Sequence, residues 1–584
     1  MRVITLLLLG FWATLGQATD SEMALQKVID QHWTWYLENH PRAATRRGDR
    51  DGGDRWPDMS LQGLEQRYQQ RGEFLNQLEK IDSSTLTEES RLNYQLLRRT
   101  LTSKRTRHEL GLDLMDIKTR QGPHNEYRIV GYTNFSDSED YRLWLRRLHA
   151  LPQYLDQYQE LLREGIRRNR VQAQAVVQRI PHQLENLLAL APEDNPFYQP
   201  FQNMSSTIPP DEAQRLRAQA KVIIQEAINP AYQQFLNFVE EDYLPVCREE
   251  AGIGSLSEGR ELYEFLARDF TTTEKSPKEI HEIGKAEVAR ILKEMETVKQ
   301  QTGFKGDLQD FNEFLRTDPQ FYYDSPEALY EAYLAVSKRL DPELVKLFGK
   351  LPRMPYGVRP IPEAMAPDTT TAYYMPPAAN GTRAGYYYVN LYRPEVRPKY
   401  EMEVLSVHEA VPGHHLQLAL EQEIENIPAF RTASSVTAFV EGWALYSERL
   451  GYQMGLYQDP YSRYGQLTYD MWRAVRLVVD TGIHYLGWTR EEAIAYFKAN
   501  AGKTEADIIN EVDRYIDWPG QALAYKIGQL HILELRGQAE QSLGDDFDIR
   551  RFHDALLAAG SIPLDALEQR MDKWLAAEMA AIAR

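Results

Sequence analysis

Apolar residues recur every three to four positions along most of the chain, with Ala, Leu, Glu, Gln and Arg between them. This spacing places apolar side chains on one face of a helix, as in amphipathic helices that cover a core. Helices are also predicted from Tyr400 nearly to Arg584. The most regular segments, each predicted to be a long helix, are Glu139–Asn169, Asp211–Tyr243, Ser276–Thr302 and Ser325–Lys350.

The helical pattern breaks in two places. Residues 41–56 are polar, charged and glycine-rich, which predicts a loop, and the proline-rich residues 351–385 cannot form one long helix. Residues 386–392, YYYVNLY, are dense in Tyr and Val, which predicts a β-strand. This strand either offers its edge to an extended peptide or is an ordinary buried strand. The sequence therefore predicts a mainly α fold with a small β element.

The first 18 residues have the composition of a secretory signal peptide. Arg2 precedes an apolar run, and small residues, including Ala18, mark a cleavage site. No later run reaches the ~20 apolar residues of a membrane span. No cysteine stands near the cleavage site to carry a bacterial lipid anchor. We therefore expect export to the periplasm or the medium, without a membrane span.

Charge and cysteine content exclude several classes of partner and site. The net charge of −18 disfavours binding to phosphate backbones, so we expect no nucleic-acid partner. Cys247 is the only cysteine, which rules out an intrachain disulfide and a cysteine metal cluster. A transition-metal site would have to use histidines and carboxylates. The oligomeric state stays open.

The segment LSVHEAVPGHHLQL, residues 405–418, resembles the zinc-binding sequence H-E-x-x-H with altered spacing. On a straight helix, His408 and His414 would point about 120° apart, and His415 would lie about 10.5 Å along the axis from His408. Pro412 and the glycine after it can distort the helix. If these two residues bulge out, H-E-x-x-H is restored, with His408 and His414 as ligands and Glu409 as general base. His415 is the alternative second ligand.

A zinc site needs a third protein ligand and an open position for water. In one large group of zinc peptidases this ligand is a Glu on a following helix. Glu441 lies 27 residues after His414 within the apolar stretch TAFVEGWALY, where a charge needs a partner such as a metal. Glu448 lies on the same helix face and is the alternative ligand. A structural ion pair at Glu441 is the competing interpretation.

A further polar stripe runs along the predicted helix at residues 470–488. Arg473, Arg476, Asp480 and His484 share one face of a helix that is otherwise mostly apolar. Such a stripe faces either a polar cavity or a buried network with Arg476 paired to Asp480. In the first case His484 and an arginine could bind a substrate carbonyl, an oxyanion or a terminal carboxylate. Tyr525, on a helix predicted to restart at Pro519, is a candidate oxyanion donor or a core aromatic residue.

Four linked motifs carry a resemblance to a known family: HEAVPGHHLQ, FVEGWALYSERL, RLVVDTGIHYLGWT and RYIDWPGQALAYKIG. From about Pro41 to the C-terminus the chain resembles the bacterial proteins grouped as domain of unknown function 885, which are similar to gluzincin-type zinc metallopeptidases. The resemblance implies a large helical shell around a deep active-site channel, with the β element beside the metal-binding helix. It also implies His408, His414 and Glu441 as ligands of one zinc ion, and Glu409 as the base.

These observations predict a signal peptide over residues 1–18 and one large, mostly helical metallopeptidase-like domain over residues 19–584. Its N-terminal helical part spans about residues 22–350 and its catalytic part about residues 351–584. We expect an exported zinc-dependent metallopeptidase that hydrolyses short peptides as an oligopeptidase or carboxypeptidase. The alternatives are a metal-dependent hydrolase of a non-peptide amide or ester, and a non-catalytic peptide-binding protein. Divalent ions other than zinc are also compatible with these ligands.

Overall fold

The computed structural model describes residues 20–363, 365–368, 370–378, 381, 383–433 and 435–584. The predicted signal peptide therefore lies outside the described residues. Among the described helices, none is long and apolar enough to cross a membrane. The first α-helices are α1 Asp20–Asn39, α2 Pro41–Arg46, α3 Leu61–Glu79, α4 Glu88–Glu109, α5 Ser138–Arg167, α6 Gln174–Val177, α7 Ile180–Leu188, α8 Gln199–Gln202, α9 Pro210–Ile223, α10 Asn229–Phe238, α11 Gly259–Thr271, α12 Pro277–Gln301, α13 Leu308–Thr317 and α14 Pro326–Leu340. The later ones are α15 Met402–Glu409, α16 His414–Gln422, α17 Ala429–Thr432, α18 Thr437–Leu450, α19 Pro460–Thr481, α20 Arg490–Asn500, α21 Glu505–Asp517, α22 Leu523–Leu543, α23 Ile549–Leu557 and α24 Leu564–Ile582.

The mainly α fold predicted from periodicity is confirmed. Helices α5 and α12 match two of the predicted segments to within two residues at each end, because a capping box starts each of them. The predicted helix over Asp211–Tyr243 is also helical, but π-helical turns at Ile224–Ile228 and Val239–Tyr243 interrupt it. The predicted loop at residues 41–56 contains the short helix α2, which Pro41 starts at a position where proline is tolerated.

One small sheet lies between α14 and α15 in the chain. Its strands are β1 Tyr356–Pro360, β2 Ala372–Met375 and β3 Gly385–Val389, in the order β1-β3-β2. β3 pairs in parallel with β1 and antiparallel with β2, so both of its edges are used. The predicted strand is confirmed as β3. Because β3 is the central strand, the expectation that it offers its edge to a peptide is wrong. Within the described residues, β2 pairs only with β3.

Two closely packed helix pairs hold the C-terminal half together. α12 packs along α19, and α18 packs along α22. In the second pair a Cβ atom on Gly442 would come within 2.6 Å of the backbone of Gly528, and one on Gly528 would collide with the carbonyl oxygen of Ala438. The two helices therefore touch backbone to backbone, which fixes the residues next to Gly442 relative to those one turn before Gly528.

Candidate metal centre

The two candidate histidines lie on two short helices joined by a turn. α15 ends at Glu409, residues 410–413 form the turn, and α16 begins at His414. The Gly413 N–H donates to the carbonyl oxygen of Val407 at 2.9 Å, so the chain folds back over the last turn of α15. The extra residues are thereby accommodated outside the helical path, which places His414 beside α15.

Gly413 and Pro412 adapt the turn to its surroundings. A Cβ atom on residue 413 would collide with the backbone carbonyl oxygens of Val407 and His408, so only glycine fits there. The indole Nε1–H of Trp443, on α18, donates to the carbonyl oxygen of Pro412 at 2.9 Å. The peptide bond before Pro412 is cis. The turn is therefore anchored to the helix that carries the third candidate ligand.

His408, His414 and Glu441 form a cluster that could hold a metal ion, with one potential ligand atom of each within 4.8 Å of the others. The Nε2 atoms of His408 and His414 lie 3.8 Å and 3.6 Å from the same oxygen, Oε2 of Glu441. The two imidazole rings are nearly perpendicular, with centroids 4.8 Å apart. Ligands about 2.1 Å from a tetrahedral zinc would be about 3.4 Å apart, which is close to the observed distances.

The charges around the cluster also fit a divalent cation. The carboxylates of Glu409, Glu441 and Glu448 meet here, and Arg473 forms an ion pair with Glu448 at 3.5 Å. A bound divalent cation would favour the ionised form of these carboxyl groups. Burial, together with the charge of His414, lowers the pKa of His408, so its ring is neutral as a ligand must be.

Glu448 contacts a candidate ligand and is not itself part of the cluster. Its Oε1 lies 2.8 Å from Nδ1 of His408, the nitrogen on the side of the ring away from the cluster. The carboxylate is fully buried, which raises the pKa of Glu448 to about 8 against the opposing effect of Arg473. A carboxylate that accepts a hydrogen bond from a metal-binding histidine fixes the ring orientation and tautomer. Glu448, the alternative third ligand considered from the sequence, therefore lies behind His408 and outside the ligand cluster.

Glu409 stands next to the cluster at the end of α15. Its side chain accepts a hydrogen bond from the backbone N–H of Tyr374 in β2. Burial, followed by the nearby carboxylate of Glu441, raises the pKa of Glu409 to about 8. The strand thus holds a carboxyl group beside the ligands, in the position where a general base would act on water.

His415 points away from the cluster. Its Nδ1 lies 2.8 Å from the hydroxyl of Tyr374, and its ring is tilted against Tyr356 at 5.0 Å between centroids. Burial lowers the pKa of His415 to about 4. The structure therefore brings His414 to the ligand cluster and places His415 against the sheet, where it supports β2.

Tyr525 and Arg476 lie close to the ligands. The charge of Glu441 acts on the Tyr525 hydroxyl and, together with burial, raises the pKa of that group. The guanidinium carbon of Arg476 lies 4.4 Å from the centre of the Tyr525 ring. Arg476 also donates to the Tyr515 hydroxyl at 3.0 Å and to Glu511 at 3.1 Å, while its Nη1 is buried without a partner among the described residues. Its expected pairing with Asp480 is absent from the described contacts.

His484 does not reach the ligand cluster. Its Nδ1 accepts from the backbone N–H of Ile253 at 3.1 Å, and its Nε2–H donates to the carbonyl oxygen of Tyr515 at 2.9 Å. The side chain is fully buried, so neither nitrogen is left for a substrate. This corrects the expected oxyanion role: His484 ties two backbone segments together. Asp480, from the same stripe, likewise accepts from Tyr263 and Gly520.

Two residues next to the cluster were not assigned a role from the sequence. Arg473 was one member of the polar stripe, and its position beside Glu448 follows only from the packing of α19 against α18. Tyr374 lies in the proline-rich segment, where no strand was predicted. The helix that carries Tyr525 begins at Leu523 instead of at Pro519, because the chain first makes a turn with Gly520 at φ +82°.

Fold and site together define a mainly α protein with a two-histidine, one-glutamate candidate metal site. Over residues 41–571 the chain matches the family described as "Bacterial protein of unknown function (DUF885)", and it belongs to that family. No curated protein matches the chain.

Two solved structures are similar to the chain over nearly its whole length. One is described as "the putative lipoprotein from Colwellia psychrerythraea"; it is 27% identical with a TM-score of 0.89, and the match covers 96% of this chain and 100% of that one. The other is described as "a putative lipoprotein of unknown function from Shewanella oneidensis". It is 18% identical with a TM-score of 0.72, covers 95% of this chain and 100% of its own, and supports the fold alone.

Proposed function

We propose that the protein is an exported zinc-dependent metallopeptidase of the gluzincin type that hydrolyses short peptides. One observation carries the proposal: the converging ligand atoms of His408, His414 and Glu441 have a carboxyl group, Glu409, directly beside them. A purely structural cluster has no use for an additional buried acid at this position. The hydrogen bond between His408 and Glu448 further supports a metal-binding role, because such pairs orient histidine ligands.

The chemistry follows from the residues around the ligands. A bound zinc ion would supply Lewis acidity and lower the pKa of a water molecule at the site. Glu409 would take a proton from that water and return it to the leaving amine. The hydroxyl of Tyr525 would donate a hydrogen bond to the oxygen that becomes negative during the attack. His484 has no part in this scheme because both of its ring nitrogens are occupied.

A peptide substrate fits the surroundings of Glu409. β2 has one paired edge, and the N–H of Tyr374 on its other side is directed at Glu409, so an extended chain beside β2 would pass the base. Arg476 has an unpartnered Nη1 near Tyr525, which supports the anchoring of a terminal carboxylate. A helical shell around a channel, expected from the family resemblance, would limit substrates to short peptides and favour oligopeptidase or carboxypeptidase action.

Export is supported by the apolar run of residues 1–18 and by the description of the similar structure from Colwellia psychrerythraea as a putative lipoprotein. In that compartment the protein would meet peptides released from larger proteins. The acidic net charge disfavours binding to a nucleic-acid phosphate backbone.

The proposal is tested by elemental analysis of the purified protein together with assays on peptides, small amides and esters. We expect about one zinc ion per chain, loss of that ion in His414→Ala, and peptide cleavage that a chelator abolishes and added zinc restores. His182→Ala, at an exposed histidine, is the matched control and should retain both metal and activity. Lack of zinc binding after zinc is added would overturn the proposal. Cleavage restricted to non-peptide amides or esters would support the alternative hydrolase, and peptide binding without cleavage a binding protein.

A further inference from the structure

Two arginines in the N-terminal helices are almost completely buried yet have no polar partner. Arg67 and Arg71 are 6% and 9% exposed. They lie four residues apart on α3, so their side chains share one face about 6 Å apart along the axis. Neither guanidinium makes a hydrogen bond or ion pair with any residue that the structure describes. The centre of the Trp35 ring lies 5.8 Å from the guanidinium carbon of Arg71.

Other deeply buried arginines among the described residues have hydrogen-bond partners. The other deeply buried arginines donate to several oxygens: Arg147 to two backbone carbonyls and a threonine hydroxyl, and Arg248 to three backbone carbonyls. Arg431 binds a glutamate, an asparagine and a carbonyl. A buried guanidinium without such partners costs free energy and cannot lose its proton near neutral pH. Burial lowers the pKa of both Arg67 and Arg71, as expected for uncompensated cations.

A third cation lies near the pair. Lys104, on α4, is close enough to Arg71 for the two positive charges to act on each other. Protein atoms surround the Lys104 ammonium and, together with Arg107, lower its pKa, although the side chain retains accessible surface. His40 faces the same cations, and burial followed by their charges lowers its pKa to about 3, so its ring adds no charge.

The carboxylates in the vicinity do not neutralise the cluster. Asp58 and Asp113 act on Arg67 from a distance, but neither forms an ion pair with it among the described contacts. Asp113 is instead bound to His108 at 3.2 Å, and the Asp58 carboxylate caps a turn by accepting the N–H of Ser60. Asp269 acts on Lys104 and accepts a hydrogen bond from Ser103, so none of these three carboxylates forms an ion pair with Arg67, Arg71 or Lys104 among the described contacts.

We propose that Arg67, Arg71 and Lys104 form a binding site for a phosphate group. Guanidinium pairs and an ammonium are the donors that bind tetrahedral oxyanions through charge-assisted hydrogen bonds. The anion fills the space between α1, α3 and α4 and supplies the partners that the two arginines lack. The ligand is either free inorganic phosphate or a phosphate monoester, which present the same oxygens to the site. The site is separate from the candidate metal centre and does not depend on the proposed function.

Isothermal titration of the full-length mature protein with inorganic phosphate and with glycerol 1-phosphate, at constant ionic strength, tests this site. We expect saturable binding of about one ligand per chain, weakened at least tenfold in Arg67→Gln and Arg71→Gln, which each lose a charge-assisted donor. Arg98→Gln removes the same charge from an exposed position on α4 and should leave the affinity unchanged. Tighter binding of one ligand identifies the free anion or the ester as the source.

Thermal unfolding of the same variants without phosphate separates ligand binding from a structural role. Because each substitution removes an uncompensated buried cation, the variants should unfold at the same temperature as the wild type or higher. Phosphate should then raise the unfolding temperature of the wild type and of Arg98→Gln only. The proposal is overturned if neither ligand binds saturably, or if both arginine variants bind phosphate as tightly as the wild type, which would place the ligand elsewhere, for example at a bound metal.

Discussion

The Nδ1 atom of His408 lies 2.8 Å from Oε1 of Glu448, two turns along α18 from the candidate ligand Glu441. One helix thus carries one candidate ligand and also orients a second candidate ligand from another helix. Arg473 approaches the same Glu448 oxygen from α19 at 3.5 Å, so three helices meet at this carboxylate. The arrangement makes the geometry of the cluster depend on a residue that would not itself touch a metal.

Glu448→Gln should weaken zinc binding by about tenfold, because the neutral amide holds the His408 ring less firmly and makes it a weaker ligand. Competition with a chelator of known affinity measures this change. Glu425→Gln, at an exposed position after α16, is the matched control and should bind zinc like the wild type. Equal affinities in both variants would show that Glu448 does not support the site.

Glu409→Gln should reduce kcat for peptide hydrolysis by at least about 100-fold, because the amide cannot accept a proton from water. The variant keeps His408, His414 and Glu441, so it should still bind about one zinc ion per chain. Steady-state kinetics and elemental analysis of the same sample measure both quantities. A variant that retains turnover would exclude Glu409 as the base.

Gly413→Ala should destabilise the protein by about 2–4 kcal/mol and weaken zinc binding, because the added methyl group collides with two carbonyl oxygens of α15. Unfolding in denaturant and zinc titration measure the two effects. Gly537→Ala makes the same change in α22, where nothing lies within 4 Å of the new atom, and should leave stability equal or higher. Normal stability and zinc binding in Gly413→Ala would contradict the described turn.

Tyr525→Phe should lower kcat by about 100-fold with little change in KM, because its hydroxyl would act on the developing oxyanion and not on the bound substrate. The measurement is steady-state kinetics on a short peptide. Tyr132→Phe, at an exposed tyrosine, should have unchanged kinetics. A rise in KM alone for Tyr525→Phe would move the residue from oxyanion stabilisation to substrate binding.

His484 should make the protein sensitive to mild acid. Burial lowers the pKa of its ring to about 3, whereas the unfolded chain binds a proton near pH 6.5. Since only the unfolded state takes up this proton between those values, the contribution of His484 to stability is present above about pH 6.5 and declines as the pH falls.

His484→Gln removes that titration. The stability deficit of the variant relative to the wild type should therefore shrink by about 2 kcal/mol between pH 7 and pH 5. Unfolding in denaturant at several pH values measures the difference, in which the contributions of other groups cancel. His182→Gln, at an exposed histidine, should show no such trend. A constant deficit for His484→Gln would mean that the ring takes up a proton in the folded protein as readily as in the unfolded chain.

Periodicity predicted most of the helices well because it reports burial on one face, which is local information. The helix predicted over Ser325–Lys350 is the exception, since α14 ends at Leu340 and a 3-10 helix follows over Asp341–Lys346. The segment Ser276–Thr302 became α12 with one residue fewer at each end. The same reasoning wrongly placed His484 on one face with Arg473 and Arg476. It assumed that the α-helix, with 100° of rotation per residue, continues beyond Thr481. There the chain changes to the π-helical turn Gly482–Leu486, which shifts the angular position of every later side chain.

The unusual histidine spacing could be interpreted because proline and glycine have known backbone effects. The predicted two-residue bulge corresponds to the turn between α15 and α16, which ends just before His414. The choice between Glu441 and Glu448 was open, since both lie on one face of α18. The packing of α15 against α18 decides which of the two glutamates faces the histidines, and this contact cannot be predicted from the sequence of either helix alone.

The backbone contact between Gly442 and Gly528 restricts how this scaffold can diversify. Because no side chain separates α18 from α22 at that point, the distance from Glu441 to Tyr525 is set by two main chains and cannot be tuned by exchanging residues between them. A larger residue at either glycine would push the two helices apart and change the spacing between these two side chains.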